Sequence, residues 1–546
     1  MSPTPTSRRG WIRGAAVIGG VALVAGAAAT APASAQNGTN NTSRKLQAAV
    51  SADGMLEHLE AFQAIADANG GTRVSGTPGY DESVDYAKGV FESAGYDVTV
   101  QPFQFQTFIT LSPAVLERVS PPPAGPVSTT IFSYSGSGDV TAAVSRPADA
   151  GSGNEGCEAA DFAGFTAGNI ALIQRGSCTF AIKATNAYNA GASAVIIWNN
   201  QPGVINGTLG NDFTLDIAVT SVTQAVGEQL AATPDLVMRL KAETFRGIAE
   251  TFNVLAESRS GDPDNVVMAG AHLDSVNAGP GIQDNGSGSA AILEVAEQMA
   301  KVNPKNKVRF ALWGAEEAGL VGSIYYVNNL SAAEQAKIAL YLNFDMIASP
   351  NFVRFVYDGD DSDAVGAGPG PEGSAQIEQL FNSHFDSKGL PYKGTDFSGR
   401  SDYGPFIAVG IPSGGLFTGA EGIKTLDEAV IFGGVPGEQY DPCYHLFCDS
   451  LDYPFLSDPD LADTYATLNG QFRMEGNVNM DVLEQNGDAI APAVITYAFD
   501  TRSVNSTGKG RPVAPPGKSG SAGAGVGANA GDAGGLHDHD HELDES

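Results

Sequence analysis

Three apolar runs in this 546-residue chain end in residues that bind metals or move protons. Val266–Ala271 is followed by His272-Leu273-Asp274, Val308–Trp313 by Gly314-Ala315-Glu316-Glu317, and Ala339–Phe344 by Asp345. Between the first two runs lies a glycine-rich turn, Pro280 to Gly288, that contains Asp284 and opens a helical stretch. A Walker-type phosphate loop would need a lysine after its last glycine, and none stands there. Further on, Cys443-Tyr444-His445-Leu446-Phe447-Cys448 offers a second histidine between two cysteines. Outside the cell such cysteines can close a short bridge that fixes the loop; a zinc-thiolate pair is disfavoured there, because exported thiols oxidise. Two imidazoles, His272 and His445, and three carboxylates, Asp284, Glu317 and Asp345, form a donor set that suits zinc above other divalent metals. With Asp284 shared, each of two ions takes one histidine, one private carboxylate and one shared oxygen. Two ions about 3.5–4 Å apart would lower the pKa of a water between them and stabilise both oxygens of a tetrahedral intermediate. Glu316 and Glu317 are adjacent and cannot easily face one way, so one can ligate while the other serves as general base. Asp274 can accept the second ring N–H of His272, and Tyr444 can donate to a developing oxyanion.

The elements that must position these groups follow from periodicity. The three short runs read as strands, and Ser287–Val302, with Ile292, Val295, Ala296 and Met299 on one face, reads as a helix between the first two. Strand–helix alternation implies parallel strands covered by helices, with sites at the carboxyl ends of the strands. Upstream, Leu46 to Ala68 and Ser83 to Ala94 have helical spacing, Gly70 to Gly79 is a Gly/Thr/Pro loop, and Tyr96 to Phe108 alternates like a strand. Pro121-Pro122-Pro123 marks a break, after which residues to about 245 are strand-rich and contain Cys157 and Cys178.

Composition narrows the functional classes. Hydrophobic residues make up 42% and charged residues 17%, as in a folded chain. Lys and Arg number 30 against 62 Asp and Glu, a formal net charge of -32. That acidity argues against nucleic-acid partners and against docking on anionic membranes. Arg8, Arg9 and Arg13 precede an apolar run from about Ala15 to Ala29 and the small-x-small pattern Ala33-Ser34-Ala35. Residues 1–35 therefore read as a secretory signal of the Sec or twin-arginine type, since the run is shorter than the ~20 residues that span a bilayer. The mature chain is expected to be exported, disulfide-permissive and monomeric. Residues 36–45 read as a flexible lead-in and 503–546, rich in Gly and Ala and ending in His537-Asp538-His539-Asp540-His541, as a disordered tail.

The ordered motifs Ala271-His272-Leu273-Asp274-Ser275, Gly281 to Gly288, Trp313-Gly314-Ala315-Glu316-Glu317, Asn343-Phe344-Asp345-Met346, Ser401 to Phe406 and Cys443-Tyr444-His445 resemble those of the secreted bacterial two-zinc aminopeptidases of the leucyl type. The resemblance covers 46–111 and 246–502 and implies a zinc-exopeptidase fold: an α/β, mixed, mostly parallel central sheet with helices on both faces. It implies that His272 and Asp345 hold one zinc, that Glu317 and His445 hold the other, and that Asp284 bridges. Glu316 would be general base and acid, Asp274 would orient His272, Tyr444 would polarise the carbonyl, and Arg400 and Phe417 would line the substrate pocket. Residues 112–245 resemble an inserted, β-rich α/β protease-associated domain, on Gly176-Ser177-Cys178-Thr179-Phe180 and Ala190 to Ile197, with Cys157–Cys178 as its bridge.

The expected substrate is a peptide with a free N-terminus, its ammonium held by Glu316, Asp345 and backbone near Arg400. Met346, Tyr403, Phe406 and Phe417 can wall a hydrophobic pocket for a Leu-like first side chain, or be ordinary core. The alternatives are a carboxypeptidase or dipeptidase on the same fold, and a non-catalytic protein that binds through the inserted domain. Asp458, Asp460 and Asp463 read either as a calcium site or as a solvated acidic loop. His58 and His384 read as surface or core residues.

Overall fold

The computed structural model describes residues 40–201, 205, 207–452 and 459–506. Residues 1–35, expected as a signal, residues 36–39 of the expected lead-in, residues 507–546 of the expected tail, Asp458 and the side chain of Asp460 lie outside the described residues. Asp463 is exposed on helix Pro459–Asn469.

Local chemistry sets the element ends. The apolar spacing from Leu46 is divided into Ser43–Gln47 and Ala52–Ala68, because Ser51 is extended and its side chain caps the second helix by accepting from the Gly54 N–H. Helix Pro78–Ala94 starts on a proline at its first turn and stops at Gly95, whose φ of 92° favours glycine. The strand expected after it is longer than its alternation suggested: Asp97–Ser120 pairs antiparallel with Val237–Glu257 along almost its whole length.

Asp262–His272, Asn306–Trp313, Ile338–Phe344 and Ser413–Phe417 run parallel at the centre of one half of the sheet. Phe355–Tyr357 and Lys393–Thr395 extend one edge, and Val237–Glu257 joins the other antiparallel. Alternate side chains of the central strands enter two cores. Val267, Ala269, Phe310, Leu312, Leu340 and Leu342 pack against helices Ala52–Ala68, Pro78–Ala94, Ser287–Met299 and Met480–Phe499. Met268, Ala311, Trp313 and Tyr341 pack on the opposite face with Tyr326, Val327 and Phe406. The expected α/β fold is thus present, with helices on both faces of a mostly parallel sheet.

The amino half of Val237–Glu257 also pairs with Gly138–Ser145, and from there the sheet continues through Ile170–Gln174, Ala194–Trp198 and Ala218–Val222. This β-rich part has its own apolar cores and the Cys157–Cys178 disulfide. Residues 111/112 and 245/246 both fall inside the long two-stranded ribbon, where the pairing passes from one part to the other.

Phe310 is fully buried, stacked on Phe91 and edge-on to Tyr96, so it ties the residues before the insertion to the strands after it. Phe310→Ala is expected to destabilise the protein by about 3–5 kcal/mol, read as a lowered denaturation midpoint with secondary structure retained.

Candidate metal centre

All five candidate ligands meet at the carboxyl edge of the parallel strands. His272 is the last residue of Asp262–His272, Glu316 and Glu317 lie in the turn after Asn306–Trp313, and Asp345 follows Ile338–Phe344. Asp284 sits in the turn that opens helix Ser287–Met299, and His445 sits in the loop closed by the Cys443–Cys448 disulfide.

The two carboxylate oxygens of Asp284 face different imidazoles: Oδ1 is 3.2 Å from His272 Nε2 and Oδ2 is 3.3 Å from His445 Nε2. His272 Nε2 is also 3.4 Å from Asp345 Oδ1, and His445 Nε2 is 3.1 Å from Glu317 Oε2. Zinc bonds of about 2.0–2.1 Å to tetrahedral ligands put neighbouring donor atoms about 3.3 Å apart. The four separations, 3.1 to 3.4 Å, cluster around that edge length. Asp345 Oδ1 and Glu317 Oε1 are buried and have no hydrogen-bond partner. His272, Asp284 and Asp345 form one three-donor group that could hold an ion, and Asp284, Glu317 and His445 form another. The residues present therefore fit a pair of divalent ions sharing Asp284.

The remaining candidates surround this group. Glu316 Oε2 is 3.8 Å from His272 Nε2, while its neighbour Glu317 turns to His445. Burial raises the Glu316 carboxyl well above the usual range; His272 opposes the shift, and Asp402, Glu317 and Asp345 add to it. Asp274 reaches His272 Nδ1 with both kinds of oxygen. Its carbonyl is nearer, at 3.2 Å, than its carboxylate, at 3.6 Å, because Oδ1 also accepts the Glu316 N–H. The Tyr444 ring stacks on His445 with centroids 3.9 Å apart, and its hydroxyl accepts from Arg400 Nη2 at 3.3 Å. Arg400 Nη1 donates to Glu421 at 2.7 Å. Phe417 is half-buried and stacks on Phe355.

Tyr403 and Phe406 belong to an apolar core, and Met346 is buried next to Asp345. Tyr403 is 1% exposed and packs on Tyr357 and Phe397, and its hydroxyl accepts the Gly399 N–H. It braces the loop that carries Arg400. Met346 is 3% exposed and Phe406 is stacked on Tyr341 in the core.

Several residues that hold the site carry no metal-type signal in the sequence. Arg73, from the Gly/Thr/Pro loop, is fully buried; its guanidinium donates to the carbonyls of Leu273, Pro280 and Gly281, and its backbone N–H to Ser275 Oγ. It thereby ties together the segments that carry His272 and Asp284. The Asp449 carboxylate accepts the N–H groups of Gln283 and Asp284, and Asn477 joins Asp449 to Asp441 at the base of the disulfide loop. Asn285 accepts from Met346 N–H and donates to the Phe344 carbonyl, fixing Asp345 relative to Asp284. Ser401 donates to Asp345 Oδ2 at 2.5 Å and leaves Oδ1 free to face His272. Three non-glycine residues at the site, Ala315, Met346 and His445, have φ between 46° and 55°; such backbone persists where neighbours over-determine it.

Replacing Arg73 leaves three buried carbonyls without a charged donor, each worth about 1–3 kcal/mol. Arg73→Met is expected to lower thermal stability and to reduce metal retention on dialysis. Arg73→Lys, which keeps one donor group, should fall between it and the wild type in both measurements.

Residues 253–471 match the peptidase family M28 model, and residues 137–230 match the PA domain model. The chain is 47% identical over 467 residues to an aminopeptidase of Pseudomonas aeruginosa, covering 83% of this chain and 82% of that one. It is 39% identical over 460 residues to leucine aminopeptidase 2 of Arthroderma otae, covering 82% and 84%. The solved aminopeptidase from Aneurinibacillus sp. strain AM-1 superposes with a TM-score of 0.56 at 27% identity, over 83% of this chain and 95% of that one. With the fold, the clustered donors and these relatives in agreement, the chain belongs to peptidase family M28 and carries a PA domain ahead of the matched catalytic segment.

Proposed function

We propose that the protein is an exported aminopeptidase that removes a large hydrophobic N-terminal residue from peptides with a pair of zinc ions. The observation that carries this reading is Asp284, whose two oxygens each face a histidine that has a carboxylate of its own. His272 and Asp345 would hold one ion, His445 and Glu317 the other, and Asp284 both. When bound, such ions polarise the scissile carbonyl and make water a competent nucleophile near neutral pH.

The chain's own residues supply the rest. Glu316 lies beside the donor group without being needed as a ligand, so its carboxylate takes the proton of the attacking water and passes it to the leaving amine. Asp274 keeps the His272 ring oriented. The Tyr444 hydroxyl, which accepts from Arg400, keeps its own proton for the oxygen that becomes negative. The carboxylates of Glu316 and Asp345 attract the substrate ammonium, and Phe417 offers an apolar wall at the end of its strand. The two disulfides support export, since such bonds persist in oxidising compartments. Among the described residues no helix is long and apolar enough to cross a membrane. The mature protein would act as a monomer.

Peptides blocked at the amino end should resist hydrolysis, and the same peptides blocked at the carboxyl end should be cleaved. The reverse pattern would identify a carboxypeptidase and overturn the proposal. Glu316→Gln is expected to retain the metal content of the wild type and to lose about 10²–10⁴-fold in kcat. Near-normal turnover in that variant would remove Glu316 as the proton carrier.

A further inference from the structure

On the other side of helix Ser287–Met299 lies a second group of metal-type donors, away from Asp284. His58, on helix Ala52–Ala68, faces Glu294 and Glu297, which stand one turn apart on Ser287–Met299. One donor atom from each of the three lies within 4.8 Å of the others, and His58 Nε2 is 3.9 Å from Glu297 Oε2. His58 is 4% exposed, and its buried Nε2 has no hydrogen-bond partner. Its Nδ1 is 2.7 Å from the Tyr86 hydroxyl. That is the arrangement of a ligating histidine, with one nitrogen anchored by a neighbouring oxygen and the other bare toward the ion.

Glu294 is 3% exposed, yet its carboxylate receives only long contacts: Ser51 N–H at 3.2 Å, and Gln298 Nε2 at 3.4 and 3.5 Å. Gly54 makes room for it, since a Cβ there would come within 2.5 Å of Glu294 Oε1. Exposed Glu57 adds negative charge nearby, and among the described residues no lysine or arginine forms an ion pair with Glu294 or Glu297. Burial lowers the His58 pKa to about 4, so the imidazole is neutral, and with its proton on Nδ1 toward the Tyr86 hydroxyl the Nε2 lone pair faces the two carboxylates. Burial, against the bonds from Gln298 and Ser51 and with Glu297 and Glu57, pushes Glu294 up to about 7. A buried carboxylate in such surroundings needs either a proton or a cation.

We propose that His58, Glu294 and Glu297 bind a further zinc-class divalent cation, which staples helix Ala52–Ala68 to helix Ser287–Met299. One imidazole and two carboxylates with a position left for water suit zinc, whereas calcium takes six to eight oxygens. The donors stand farther apart than the about 3.3 Å of a closed tetrahedral site. Glu297 supplies the adjustment, because its side chain is 41% exposed and can turn inward.

The test uses the full chain, dialysed against the same micromolar free zinc for every variant, with zinc per chain measured by mass spectrometry. Wild type and Glu57→Gln are expected to hold one zinc more per chain than Glu297→Gln and His58→Gln. All four should keep the same peptidase activity, since none of these residues belongs to the centre at Asp284. A zinc-edge anomalous peak between His58 Nε2 and the two carboxylates is expected in crystals grown at that free zinc. Should His58→Gln fail to fold, the half-exposed Glu297→Gln decides alone. Equal zinc content in wild type and Glu297→Gln, or a crystal without the peak, would overturn the proposal and leave Glu294 as a protonated buried acid.

Discussion

The central constraint on this structure is the crowding of buried carboxylates around two imidazoles. Asp284, Glu316, Glu317 and Asp345 converge on His272 and His445 at separations of 3.1 to 3.8 Å. Fully buried Asp402 adds a further negative group close to Glu316. Buried like charges are tolerated only when cations compensate them. Buried Arg73 donates to three carbonyls beneath the site and its charge faces Asp274, Asp449 and Asp284, but one cation offsets only part of the cluster. The rest of the compensation must come from protons or from bound cations, and the donor spacing favours ions of zinc size.

Such a cluster repels itself, so the scaffold must hold it in place. The polar staples do this between segments far apart in the chain. Arg73 joins the segment before the insertion to the turns after His272. Asp449 joins the disulfide loop to Asp284, Asn285 joins Asp284 to the strand end at Phe344, and Ser75 accepts the Ala315 N–H ahead of Glu316. Each staple is buried and hydrogen-bonded on both sides, which is the condition under which polar groups add rigidity in a low-dielectric interior. Ligand geometry then depends on the packing of the whole half-sheet rather than on any one loop.

The candidate ligands were legible in the sequence because strand ends, a glycine turn and a short cysteine loop are local signals. His272, Glu317 and Asp345 each follow an apolar run, and parallel-sheet geometry brings such ends to one edge. The supporting residues were not legible for the opposite reason. Arg73 and Asn477 carry ordinary surface chemistry by type, and only tertiary contact turns them inward. The aromatic residues were ambiguous in kind: Tyr403 and Phe406 have the composition of a pocket wall, but burial places them in the core under Trp313 and Tyr341. His58 shows the same limit. A lone histidine on an amphipathic helix reads as packing until the facing helix contributes Glu294 and Glu297.

Periodicity also understated the ribbon. Alternation fades after Phe108, yet the strand runs to Ser120, because Val237–Glu257 supplies hydrogen bonds where the apolar pattern no longer marks the strand. The ladder carries register irregularities between Thr110 and Ser112, between Ser112 and Val115 and between Arg118 and Ser120. A bulge bends and twists a strand pair while the pairing on either side of it persists. The connection between the two parts is therefore a hydrogen-bonded ribbon with irregularities in its register, not a pair of free linkers. That geometry constrains how the PA part can move relative to the sheet edge bearing His272, since two strands hydrogen-bonded to each other run from one part into the other.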